Sequence, residues 1–145
     1  MPKRRSSVIK YLVLASLISR GELHGYALYK EILYHVEHVW RPSIGTFYRV
    51  LSEMVKSGLI ERRVSSGRTT YAITSAGLEA LVNETLPHTA KMASILTQML
   101  KAYSKLPNRN KVLSNPAIKD RLEALKKALI DLEGSEVSES LRNRS

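Results

Sequence analysis

Trp40-Arg41-Pro42-Ser43-Ile44-Gly45-Thr46-Phe47-Tyr48-Arg49-Val50-Leu51-Ser52-Glu53-Met54-Val55-Lys56-Ser57-Gly58 spells out one helix together with both of its ends. Proline pushes the residue before it out of helical geometry, so the preceding segment has to stop by Arg41. Ser43 suits an N-cap, and the helix is expected from Ile44 to about Ser57, with Gly58 as its terminator. Phe47, Val50, Leu51 and Met54 recur at helical spacing as a buried face. The opposite stripe of Gly45, Arg49, Ser52 and Lys56 is left to solvent or to a ligand.

Moving toward the N-terminus, Val8, Ile9, Leu12, Val13, Leu14, Leu17 and Ile18 mark a largely buried helix that stops at Gly21. A second helix starts near His24 or Gly25 and places Leu28, Ile32, Val36 and Val39 on one face. Moving toward the C-terminus, Leu59–Val64 reads as a strand, 65–68 as a turn and Thr69–Thr74 as a second strand. Three helices followed by a hairpin define the expected fold class: mainly α with a small β-hairpin, a winged helix-turn-helix with C-terminal dimerisation helices. The expected division is 1–76 for the winged domain with a basic N-terminal arm, 77–133 for the helical dimerisation region, and 134–145 for a disordered tail.

The charge balance points to a polyanionic partner. Lys and Arg number 23 against 13 Asp and Glu, a formal net charge of +10, and residues 1–68 hold 12 of the basic residues but only 5 of the acidic ones. A basic surface concentrated in the helix-turn-helix half suits duplex DNA. There are no cysteines, which excludes disulfides, thiol catalysis and thiolate metal sites and accords with a cytoplasmic location. Lys3, Arg4 and Arg5 ahead of an apolar run imitate a signal peptide. No small-residue cleavage pattern follows, and the run is too short to span a bilayer, so no membrane association is expected.

Within the helix beginning at Ser43, small and hydroxyl-bearing residues at its start (Ser43, Gly45, Thr46) permit close approach to phosphates, aided by the backbone N–H groups there. Arg49, one turn on, suits guanine O6 and N7, and Glu53 suits cytosine N4. Tyr48 lies between the two faces, either a phosphate donor or a rim residue of the core. Arg68 at the hairpin tip, with Arg62 and Arg63 on the strand leading to it, makes a basic wing. Lys3, Arg4 and Arg5 form an arm suited to backbone contacts, which raise affinity and its salt dependence without conferring sequence preference.

His24-Gly25-Tyr26, followed by Trp40-Arg41-Pro42-Ser43-Ile44-Gly45-Thr46-Phe47-Tyr48, resembles the signature of PadR-like transcriptional regulators. The resemblance continues through Gly58-Leu59-Ile60, Gly67-Arg68 with Tyr71, and Thr74 with Gly77, covering about residues 8–80. It implies a homodimeric winged-helix repressor, often responsive to a small molecule, with Ser43, Thr46 and Tyr48 touching DNA. Arg49 departs from the family, where proline or another uncharged residue is common.

From Ser75 a long helical segment is expected to run to about Lys105, and a polar linker from Leu106 to Pro116 precedes a last helix. Ile95, Leu96, Met99 and Leu100, with a heptad-like seam of Ile118, Leu122, Leu125, Leu129 and Leu132, present more apolar surface than the head can cover. A second copy of the chain is the expected cover. No catalytic residue, cofactor or metal is assigned: His24 has no nucleophile or carboxylate placed beside it by sequence, and His35 with His38 reads as a solvated pair. Trp40 packs the turn between helices or contributes to a pocket for a small apolar effector. The competing readings of the polar stripe are a protein-interaction module and a nonspecific architectural DNA-binding protein.

Overall fold

The computed structural model describes residues 3–143, with side chains described for 5–134 and 143. Its elements run α1 (Lys3–Arg20), β1 (Leu23–His24), α2 (Gly25–Val36), α3 (Ile44–Lys56), β2 (Ile60–Ser65), β3 (Arg68–Ile73), α4 (Ser75–Ser104), α5 (Arg109–Leu113) and α6 (Pro116–Asn143). Three helices packed on a small antiparallel sheet form the expected winged helix-turn-helix. The sheet has three strands in the order β1-β3-β2 rather than a bare hairpin. At two residues, β1 is too short to leave an alternating pattern in the sequence.

The chain forms two compact units, one up to Lys91 and one from Met92 onward. The division lies inside α4, whose first turns pack with the winged unit. Leu81 lies against its core, and Lys10 pairs with Glu84 at 2.9 Å. In the winged unit α1 contributes Ile9, Val13, Leu14 and Leu17, α2 contributes Leu28, Tyr29, Ile32 and Leu33, and α3 contributes Phe47, Val50, Leu51 and Met54. Ile60 and Tyr71 close the core from the sheet.

Helix ends follow from local chemistry. Gly21 adopts φ +80° and its N–H donates to the Leu17 carbonyl at 3.0 Å, ending α1. After α3, Gly58 takes φ +76°, with Leu59 N–H donating to the Met54 carbonyl and Gly58 N–H to the Val55 carbonyl, both at 3.0 Å. This is a Schellman stop. Ser66 and Gly67 both have positive φ, giving the tight two-residue turn whose twist matches the strands. Thr74 caps α4, accepting from Gly77 N–H at 3.1 Å while donating to Gly58 and Leu59 carbonyls. Gly77 is required there, since a Cβ would lie 2.1 Å from the Leu59 carbonyl oxygen.

Several boundaries differ from expectation. Residues 3–5 belong to the first turn of α1 instead of a separate arm. Lys and Arg are good helix formers and nothing interrupts them before Val8. The side chains of Lys3 and Arg4 lie outside the described residues. Arg5 stacks over the Trp40 ring at 5.2 Å, which gives its guanidinium a fixed seat. Helix α2 ends at Val36, and Val39 is 80% exposed in the turn that follows instead of sharing a buried face. The N–H groups of Val39 and Trp40 both bond back to the Val36 carbonyl at 2.9 Å, closing that turn early.

In the second unit the expected linker contains α5. Helix α6 continues past Gly134 to Asn143, across the segment expected to be disordered. One glycine costs a helix only about 1 kcal/mol relative to alanine, too little to end it by itself.

Candidate nucleic-acid interface

Helix α3 is held at its start by two independent contacts. The Ser43 side chain accepts from Thr46 N–H at 3.1 Å, and its own O–H donates to Thr46 Oγ1 at 2.9 Å. Directly before the cap, the buried Tyr29 hydroxyl donates to the Pro42 carbonyl at 2.7 Å, while its ring packs on Phe47 at 5.2 Å. The turn entering α3 is therefore anchored in the core, and the helix N-terminus is presented on a rigid base.

The outward surface of α3 matches the stripe read from the sequence. Ser43, Gly45, Tyr48, Arg49, Ser52 and Lys56 are exposed, and Thr46 is half-buried. Arg49 and Glu53 lie one turn apart and form an ion pair at 3.0 Å, so neither stands as an independent probe of a base. Glu53 holds the Arg49 guanidinium as an i,i+4 pair along the exposed face of the helix. Tyr48 is 40% exposed, edge-on to Phe47, and its hydroxyl passes over Gly25. A Cβ at Gly25 would come within 2.8 Å of that hydroxyl, so the His-Gly-Tyr segment has a packing reason for its glycine. His24 places Nδ1 3.2 Å from the Thr69 carbonyl oxygen, tying the start of α2 to the wing.

Pairing register divides the basic residues of the wing. On β2, side chains alternate, so Ile60 and Arg62 share the inner face while Glu61 and Arg63 share the outer one. Arg63 donates to Glu61 and, at 3.1 Å, to Glu22, whose carboxylate also accepts from Thr70. That cation is neutralised on the outer face. Glu22 is held below the ordinary carboxylate pKa, chiefly by the Thr70 hydrogen bond, with Arg63 adding to it. Arg62 sits opposite Tyr71 and lines an open hollow of about 600 Å³ between α3 and the sheet, with Tyr48, Ser52, Lys56 and Thr69. The sequence reading kept Arg62 and Arg63 together as wing charges; period two along β2 was the signal that separates them. Arg68 is exposed at the hairpin tip.

Ile95, Met99 and Leu129 are exposed, Leu96, Leu100, Leu122 and Leu125 half-buried, and Ile118 borders the two classes, all within the second unit. His35 approaches Glu31 at 3.9 Å, and among the described residues no group of three or more His, Asp or Glu gathers as a metal site. Among those residues also, no helix is long and apolar enough to cross a membrane.

This fold and its presented helix define a winged helix-turn-helix protein. The profile of the transcriptional regulator PadR-like family matches residues 13–83, and the winged-helix unit belongs to that family. The molecule is thus a DNA-binding regulator and not an enzyme. Solved structures share the fold at low identity. A transcriptional regulator from Clostridium thermocellum is 20% identical with a TM-score of 0.56, covering 67% of this chain and 95% of its own. Protein TA0346 from Thermoplasma acidophilum is 24% identical with a TM-score of 0.53, covering 69% and 97%. A MarR family transcriptional regulator from Silicibacter pomeroyi is 19% identical with a TM-score of 0.52, covering 89% and 70%. No curated protein matches the chain.

Proposed function

We propose that the protein is a cytoplasmic homodimeric repressor that reads a roughly palindromic promoter site by laying α3 in the major groove. The observation that carries this reading is the outward face of α3: a capped, core-anchored N-terminus followed by Gly45, Arg49, Ser52 and Lys56 in one stripe beside the wing. Ser43, Thr46 and Tyr48 position the helix on phosphates, Arg49 supplies base preference, and Arg5, Lys3, Arg4 and Arg68 add backbone contacts.

Dimerisation places two copies of α3 about 34 Å apart, on successive major grooves. The exposed Ile95, Met99 and Leu129 support a second copy as the cover for the C-terminal helices. Release by a small apolar effector belongs to the same reading. A mainly apolar hollow of about 320 Å³ beside Trp40, lined by Val8, Val36 and Val39 with Arg5, His35 and His38 at its edge, supports such a ligand. The ligand acts by favouring one geometry of the dimer over another.

Fluorescence anisotropy against random and genomic duplexes at two salt concentrations tests the reading. A regulator prefers its site over random DNA by about 10³ or more. Absence of binding at low salt refutes the DNA reading, and equal affinity for every fragment leaves an architectural protein.

A further inference from the structure

The hollow between α3 and the sheet brings two cations together with several hydroxyls. Lys56 from α3 and Arg62 from β2 line it together with Gly25, Val55 and the hydroxyl-bearing Tyr48, Ser52, Thr69 and Tyr71, and no carboxylate is among them. Neither cation has an ion pair among the described residues, although Arg49 and Arg63 next to them both do. Like charges lining one cavity repel, and an entering anion relieves that repulsion. Lys56 has a separate reason for its place, since it lies in the last turn of α3, where the helix carbonyls favour a cation. Arg62 has no such reason. It lies two residues beyond the buried Ile60 on the inner face of β2 and is itself exposed.

We propose that this hollow is a phosphate subsite in which Arg62 and Lys56 together grip one backbone phosphate of duplex DNA, assisted by the Tyr48 and Ser52 hydroxyls. The proposal rests on the DNA reading above. It adds Arg62 as the wing residue that anchors the duplex and assigns the inner face of β2, in place of the hairpin tip, to that contact. A guanidinium can present two parallel N–H groups to a phosphate, and an ammonium adds a compact charge from the other side. Held between helix and wing, a single phosphate fixes the angle at which α3 enters the groove.

The test is an anisotropy titration of the full chain, across a series of salt concentrations, on a random-sequence duplex of roughly three helical turns and on a genomic fragment that the chain selects. Arg62→Gln is expected to weaken binding to both by about fivefold to tenfold and to lower the salt slope by about one. Arg62→Lys retains most of the affinity, and the neutralised Arg63→Gln changes the slope little. Lys56→Gln costs less in the Arg62→Gln background than alone, because two groups on one phosphate are coupled. Thermal melting of Arg62→Gln stays at the wild-type value, which separates lost contact from lost fold. Unchanged affinity for Arg62→Gln, strictly additive losses in the double variant, or a loss confined to the selected fragment each overturn the subsite. If the unmodified chain binds neither duplex at low salt, the DNA reading itself fails, a result distinct from all of these.

Discussion

The two units of this chain spend their apolar residues in opposite ways. The winged unit buries Phe47, Ile9, Leu14, Leu28, Ile32 and Leu51 almost completely within a single short segment of chain. Among the described residues from Met92 onward, none is fully buried, although Met92, Ile95, Met99, Leu113, Leu129 and Leu132 are large and apolar. One unit has paid its conformational entropy with its own core; the other presents apolar helix faces that water covers at a cost of about 25 cal/mol per Å². The first carries a core of its own, and the second has no fully buried residue among those described.

That contrast is most open to attack at the core. Phe47→Ala removes a wholly buried ring that packs on Tyr29 and should cost about 3–5 kcal/mol, seen as a large fall in melting temperature. A small change there would mean that the winged unit borrows stability from elsewhere. Leu122→Asp with Leu125→Asp in the C-terminal seam is the converse experiment. It should leave melting of the winged unit nearly unchanged while sedimentation reports monomer, with affinity for a two-half-site fragment reduced by about 10² or more. An intact dimer would move the interface to the α4 segment carrying Ile95 and Met99.

Arg49→Ala tests the presented face of the winged unit and should cost about 1–3 kcal/mol of binding with relaxed base preference. A loss equal on all sequences would make Arg49, steered by Glu53, a phosphate clamp. The smallest effect concerns the outer face of the wing. Because the folded state holds the Glu22 carboxylate below its ordinary pKa, its stabilising contacts are fully present above that ordinary value and fade as pH falls through the lowered one. Melting measured across the acid range should therefore drop slightly more for the wild type than for Glu22→Gln. Parallel curves would show that Glu22 contributes nothing to the wing.

Much of the winged unit could be read without coordinates. The cap at Ser43, the apolar spacing of Phe47, Val50, Leu51 and Met54, the stop at Gly58 and the turn at Ser66-Gly67 are local features, and each fixes a piece of backbone within a few residues. The exposed stripe of α3 was legible for the same reason, since helical periodicity assigns faces. The early end of α2 was less so: two N–H groups folding back to one carbonyl leave no clear mark in the composition of Glu37-His38-Val39. Helix α1 was placed correctly but begun too late, because a basic segment reads as an arm until Trp40, far along the chain, is seen to seat Arg5.

Sequence alone, then, determined the three helices and the hairpin of the winged unit, the faces of α3 and the family signature, all of which depend on residues close together in the chain. Tertiary structure decided which charges are available. Arg63 is neutralised by Glu22, a residue 41 positions away, whereas its neighbour Arg62 shares a hollow with Lys56. The physical reason is that charge and burial depend on what lies opposite across a sheet or beneath a helix. Strand register and helix packing set those neighbours, and no local spacing records them.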